Sequence, residues 1–165
     1  MPEEPLFCKV EIPKGSHNKY EWDEDREALV LDRRLFSSLG YPTDYGFFPE
    51  TVASDGDPLD AIIAVSEPTF PGCFIEVKPI ALFKMRDEKE VDNKVLCVPV
   101  TDPNWSHMES LDDLSMSLRD EISHFFGMYK EPEWKVVKID GWYPREEAMQ
   151  SIERARKRYR EQHSS

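Results

Sequence analysis

The 165-residue chain carries 21 Lys and Arg against 33 Asp and Glu, a formal charge of −12, with 39% hydrophobic and 12% aromatic residues. That size fits a single domain over residues 1–165 with a sizeable core, and the apolar content excludes a disordered tail. The acidity argues against a protein that draws its affinity from nucleic-acid phosphates, and no apolar run nears the roughly 20 residues of a membrane span.

In chain order, FCKVEIP alternates and reads as a strand, and KYEWD and ALVLDRRL flank the turn-like DEDRE, which predicts a hairpin. AIIAV reads as a buried strand, and CFIEVKPIALFKM and KVLCVPV flank RDEKEVDN, a second hairpin. Leu111, Leu114, Leu118, Ile122, Phe125 and Tyr129 recur at steps of three and four, which predicts a helix over 111–129 with Ser110 at its start. WKVVKI reads as a short strand. PREEAMQSIERARKRYREQ, acidic early and basic late, predicts a helix over about 144–160. The pattern is a small β-barrel or curled sheet with two helices on it.

The N-terminal MPEEPLFCKVEIP lacks the basic-then-apolar pattern of a secretion signal. Cys8, Cys73 and Cys97 form no CxxC pair and are odd in number, so they read as reduced thiols in a cytoplasmic protein. No phosphate-binding GxxxxGK[ST] loop, GxSxG elbow or HExxH motif is present.

The chemistry concentrates in DGDPLD, where Asp55, Asp57 and Asp60 crowd within six residues ahead of an uncharged strand. Crowded carboxylates repel, and burying them is costly unless a cation joins them. Gly56 and Pro58 permit a turn that converges the three acids. Such hard oxygen donors suit Mg²⁺, Mn²⁺ or Ca²⁺. An EF-hand does not fit, because Leu59 and Asp60 stand where that loop needs a ligand and a glycine. A second cluster, Asp87, Glu88 and Asp92 followed by Lys94, lies in the predicted tip of the second hairpin. Two acid clusters at strand ends can face one cleft. With scattered Lys19, Arg33, Lys84, Lys94 and Lys130 and with Tyr41 and Tyr45, the set describes phosphoryl transfer to water.

The chain resembles the family I soluble inorganic pyrophosphatases from about Val10 to Trp142. DGDPLDA matches the family's metal-site signature, and VEIPKG, NKYE, LDR, YPTDYGFFPET, KMRDEKEVDNK, HFFGMYK and DGW match further pieces in order. The short chain looks like the bacterial branch. The resemblance implies an α+β, mainly β, fold: a five-stranded closed barrel of the OB type with two flanking helices. It implies Mg²⁺-dependent hydrolysis of pyrophosphate to two orthophosphates, several Mg²⁺ per site with Mn²⁺ as a substitute, and a homohexamer with His124 near a subunit interface. Water or hydroxide between two metals attacks phosphorus in such enzymes. By position, Glu11, Asp55, Asp60, Asp87 and Asp92 match metal ligands. Lys19, Arg33, Tyr45, Lys94, Tyr129 and Lys130 match phosphate contacts, and Glu21, Tyr41 and Glu88 match supporting positions. Asp57, or in some assignments Asp92, matches the general base. Arg34 stands where an apolar or aromatic residue is common. Strand alternation sends Arg33 toward the phosphate and Arg34 away. Two other readings stay open: a metal-dependent hydrolase of nucleotides or polyphosphate, and an OB-type oligonucleotide binder stacking bases on Tyr41, Tyr45, Phe47 and Phe48.

Overall fold

The computed structural model describes residues 4–35, 38–87, 90–129 and 137–164. Strands β1 (Phe7–Ile12), β4 (Asp44–Phe47), β5 (Asp60–Ile63), β6 (Phe74–Asp87) and β7 (Lys94–Pro99) form the main sheet. They are hydrogen-bonded in the order β1-β4-β5-β7-β6, and β6 returns to pair with β1, so the five close into a ring. This is the expected mainly-β, OB-type barrel. All these pairings are antiparallel except β5 with β7, which is parallel. The predicted hairpin is present as β2 (Asn18–Asp23) and β3 (Ala28–Arg34), which pair in a separate two-stranded sheet. Strand β8 (Val137–Pro144) adds to β6.

One long strand makes the closure possible. β6 spans 14 residues and serves β1 at its start, β7 in its middle and β8 at its end. Pro79, which cannot donate to a ladder, sits where the register with β7 shifts, between Pro79 and Ala81. A proline is tolerated at such a bulge, and the bulge bends the strand.

The two faces of the ring carry different cores. Ala61, Ile63, Val95 and Cys97 belong to one cluster and Ile62, Leu96 and Val98 to the other, as a period of two requires. The Cys8 and Cys97 sulfurs lie 3.9 Å apart although β1 and β7 are not neighbours. Side chains that short meet only over a concave face, so the first cluster fills the ring. Helix α2 (Arg145–His163) applies Ala148, Ile152 and Ala155 to it. Helix α1 (Met116–Met128) packs Ile122, Phe125 and Phe126 on the outer cluster.

Several boundaries differ from the sequence reading. The helix expected over 111–129 divides into a 3₁₀ turn at Leu111–Asp113 and α1, whose N-cap is Ser115, accepting from the Leu118 N–H at 3.2 Å. Ser110 begins only the 3₁₀ turn. The strand read at WKVVKI begins, within the described residues, at Val137 and runs on to Pro144. The last helix runs to His163 rather than about 160, with Pro144 as its N-cap. Strand β4, inside YPTDYGFF, was not foreseen.

β1 changes face midway. Cys8 and Val10 point into the ring, but Ile12, two residues on, belongs to the outer cluster. The cause is a register shift between Val10 and Ile12 against β4, which gives β1 one extra residue, Glu11. Gly46 lies opposite Val10, and a Cβ there would run into the Lys9 carbonyl oxygen. Gly46→Ala is therefore expected to destabilise the protein by about 2–3 kcal/mol. Urea unfolding at unchanged m-value checks this, and a loss below about 0.5 kcal/mol would contradict so close an approach.

Candidate active site

A cavity of about 500 Å³ lies against the outer face of the ring, where Ile12, Tyr41 and Tyr45 of the outer cluster line it. Parallel pairing of β5 and β7 sets Asp60 directly beside Lys94, so the two acid clusters, each just ahead of one of these strands, arrive at the same rim. Asp55, Asp57, Asp60, Asp87, Asp92 and Lys94 all line the cavity. Glu11 from the β1 bulge, Lys19 and Glu21 from the hairpin, and Tyr41, Tyr45 and Tyr129 line it as well.

Lys94 is the centre of this wall. It is 1% exposed, and its ammonium donates to the Tyr45 hydroxyl at 2.6 Å, Asp60 Oδ2 at 3.1 Å and Asp92 Oδ1 at 3.0 Å. Those contacts use all three of its protons. Burial alone would lower its pKa, but Asp60 and Asp92 reverse the effect and raise it, so Lys94 is charged. Asp60 is pushed up to about 7 by burial and by Asp92, with Lys94 pulling the other way. Two acids thus share one buried cation, and the wall holds more negative charge than Lys94 can neutralise.

The 51–60 segment is tied to itself. The Thr51 hydroxyl donates to the Phe48 carbonyl and accepts from the Leu59 N–H; the Ala53 N–H donates to the Asp57 carbonyl at 2.7 Å. Gly56 has φ +93, a conformation that side chains rarely adopt. The resulting turn lets Asp55 Oδ1 accept from the Asp57 N–H at 3.0 Å. Burial, followed by the charges of Asp57, Asp92 and Glu90, raises the Asp55 pKa against that hydrogen bond. Asp57 is exposed at the cavity, and among the described residues no hydrogen bond or ion pair engages its carboxylate.

The opposite wall is the β2–β3 hairpin. Glu11 Oε2 accepts from the Trp22 N–H at 2.8 Å, and the Lys9 ammonium lies 3.0 Å from the centre of the Trp22 ring. Burial pushes Glu11 up to about 7 in spite of the Trp22 hydrogen bond. Lys19 pairs with Glu21 at 2.8 Å and Asp32 at 3.3 Å. Arg33 is half-buried and donates to Asp32 at 2.6 Å, whereas Arg34 is exposed. Arg33 does not itself line the cavity, but its charge opposes the rise in the pKa of Tyr41 and of Tyr129.

The tyrosines form a buried aromatic layer with α1. Tyr41 lies 5.6 Å from Tyr45 and 4.6 Å from Phe125, and Tyr129 lies 5.5 Å from Phe126, measured between ring centres. Burial raises the pKa of all three tyrosines, so their hydroxyls keep their protons. The Tyr41 hydroxyl is buried with no hydrogen-bond partner among the described residues. Tyr41, Tyr45, Phe47 and Phe48 are all buried, which removes the exposed aromatic platform that an oligonucleotide binder would need.

Lys130 and Glu88 lie outside the described residues. The sequence reading missed Trp22, Glu24 and Glu90, which also line the cavity. Glu90 stands two residues before Asp92 and Glu24 two after Trp22, a spacing of two that could have singled them out.

Carboxylate oxygens in this number, pushed upward by burial and mutual repulsion, are the donor set for a hard divalent cation. Among the described residues no three His, Cys, Asp or Glu side chains stand close enough to hold one ion as they are. Glu11 is protonated in both states below about pH 4.5, and between there and about 7 the folded state alone keeps the proton. Metal-free stability therefore falls as pH rises through that window, and Asp60 acts in the same sense. In EDTA, the urea midpoint should drop between pH 5 and pH 8, and Glu11→Gln should shrink the drop. An identical drop in the variant would remove Glu11 as a source.

Residues 8–160 match the family model described as inorganic pyrophosphatase. Inorganic pyrophosphatases from Methanosarcina acetivorans and Streptomyces coelicolor are 52% and 51% identical to the chain. The alignments cover 92% of this chain and 90% of the first relative, and 93% of this chain and 94% of the second. Among solved structures, the inorganic pyrophosphatase of Helicobacter pylori superposes with a TM-score of 0.92 at 38% identity, covering 94% of both chains. That of Thermus thermophilus gives 0.91 at 38% identity, over 97% of this chain and 94% of the other. With the ring, the acid-lined cavity and these matches over nearly the whole chain, the protein belongs to the inorganic pyrophosphatase family.

Proposed function

We propose that the chain hydrolyses pyrophosphate to two orthophosphates in this cavity, with Mg²⁺ as cofactor and Asp57 as general base. The observation that carries the reading is how unequally the acids are engaged. Asp60 and Asp92 are tied to Lys94, Glu11 to Trp22 and Asp55 to the Asp57 N–H, while the Asp57 carboxylate is exposed with no partner among the described residues.

Glu11, Asp55, Asp60, Asp87 and Asp92 would hold the cations, and Mn²⁺ suits the same oxygen donors. Bound there, divalent cations offset phosphate charge and acidify water. Asp57 takes the proton of the attacking water; Asp92, already bonded to Lys94, is the weaker candidate. Lys19 and Arg33 from the hairpin, with Lys94 and Lys130, stabilise the charge that gathers on the phosphates. Tyr45 and Tyr129 stay protonated and donate. The unpartnered Tyr41 hydroxyl supports them as a further donor that a phosphate oxygen would satisfy. Glu21 orients Lys19 at 2.8 Å, and Glu88 keeps the supporting role that the resemblance implies. We further infer one domain over residues 1–165, a homohexamer with the exposed His124 near a subunit contact, and a cytoplasmic setting with neither nucleic acid nor membrane as partner.

Phosphate release from pyrophosphate and from ATP, with Mg²⁺, Ca²⁺ or EDTA, tests the substrate. Fast Mg²⁺-dependent release from pyrophosphate and little from ATP is expected; comparable release from ATP would favour a general nucleotide or polyphosphate hydrolase. Asp57→Asn should lower kcat by about 10²–10⁴ while Mn²⁺ affinity stays within about twofold. Full turnover in that variant would remove Asp57 from the role of base.

A further inference from the structure

The loop that carries Asp55 and Asp57 is fastened to the rest of the molecule from behind. The Val52 N–H donates to the Ala155 carbonyl of α2 at 3.0 Å, and Arg158 Nη1 donates to the Val52 carbonyl at 3.3 Å. Both polar groups of a single peptide residue are thus held by one helix. Beyond Val52 the loop leaves α2: a second cavity, of about 220 Å³, separates residues 53–55 and Pro58 from Ser151, Arg154 and Arg158. Its lining mixes those arginines with Asp55, Asp60 and Asp92, so it offers no charge of one sign to a ligand. It is a gap behind the loop, and the clamp at Val52 sets where the loop begins.

We propose that Arg158 is a positioning residue for the carboxylate loop, acting through the Val52 carbonyl on Asp55 and Asp57. This rests on the reading of that loop as cation-holding. The guanidinium comes from 106 residues further along the chain and does not line the catalytic cavity. Losing it frees the Val52 carbonyl and leaves the helix stripe Ala148, Ile152 and Ala155 in place, so the loop loosens while the ring stays packed. Arg154 is the internal control. It lines the same gap on the same helix, but its guanidinium bonds Gln150, one turn away on α2.

The test is Mn²⁺ binding without substrate, followed by the spin resonance of the free ion, together with Mg²⁺ titrations of activity. Arg158→Met should weaken Mn²⁺ binding and raise the Mg²⁺ needed for half-maximal activity, each by about three- to tenfold, the equivalent of roughly one hydrogen bond. The kcat at saturating Mg²⁺ should stay within about twofold, and Arg158→Lys should recover most of the affinity. Arg154→Met should behave as wild type. Unchanged Mn²⁺ affinity in Arg158→Met, or equal weakening in Arg154→Met, would overturn the proposal, the latter because charge alone would then suffice. Hydrogen exchange at the Gly56 and Asp57 amides provides a readout that needs no metal. Protection there should fall in Arg158→Lys and further in Arg158→Met while the α2 amides keep theirs, and unchanged loop protection would also overturn it. Absence of Mn²⁺ binding in the wild type would count against the cation reading alone, with exchange still deciding the role of Arg158.

Discussion

The structure turns on one buried ammonium placed among several carboxylates. Lys94 is 1% exposed and gives its three protons to Tyr45, Asp60 and Asp92. A buried charge without partners is among the most costly features a fold can carry, and removing one partner of a buried pair strands the other. The acids need Lys94, and Lys94 needs the acids. This mutual requirement fixes which strands lie side by side, because Asp60 and Lys94 are register partners in β5 and β7. It still leaves the cavity rich in carboxylates, and burial first, with neighbouring acids adding to it, shifts Asp60, Asp55 and Glu11 upward. A cation that binds the folded state and not the unfolded one stabilises the former by mass action. Folding and catalytic readiness therefore draw on the same charges.

The ring supplies the geometry that electrostatics alone cannot. A single extra residue in β1 turns Ile12 to the outer face and brings Glu11 to the cavity. The hairpin carrying Lys19 and Arg33 is not part of the ring's ladder, and its central tie is the Glu11–Trp22 hydrogen bond, backed by Lys9 against the indole. Glu11 has a second carboxylate oxygen. One side chain thus joins β1 to the hairpin that carries Lys19 and Arg33. Helix α1 adds the aromatic floor: Phe125 and Phe126 seat Tyr41, Tyr45 and Tyr129, whose hydroxyls stay protonated because burial disfavours the phenolate.

Much of this was legible in the chain. Alternation marked β1, an uncharged run marked β5, runs flanking charged turns marked the β2–β3 hairpin, β6 and β7, and the acid clusters marked the site. What failed did so for physical reasons. β4 was hidden because YPTDYGFF carries Pro42, Asp44 and Gly46, residues that signal a turn; Gly46 is needed there because the Lys9 carbonyl leaves no room for a side chain. Leu111 and Leu114 continue the stripe of α1 although Leu111 opens a separate 3₁₀ turn and Leu114 ends it in extended backbone, since both segments face one core. Parallel pairing between β5 and β7 joins segments more than 30 residues apart, and no local pattern encodes it. For the same reason the bonds of Lys94 to Asp60, Asp92 and Tyr45 emerged only with the fold.

Chemically alike acids end in different states because each meets a different environment. Asp60 and Asp92 satisfy a buried cation, so their charge serves the fold first. Asp55 turns back on the loop to hold the Asp57 N–H. That bond, with the φ +93 of Gly56, points the chain so that Asp57 stands exposed at the cavity instead of against the protein. Burial raises the proton affinity of Asp60, Asp55 and Glu11, but donors from Lys94, the Asp57 N–H and the Trp22 N–H already occupy lone pairs on them. Water access and free lone pairs are what a proton acceptor requires. The proposed base is therefore the acid that the fold uses least, and its neighbours, by being used, leave it so.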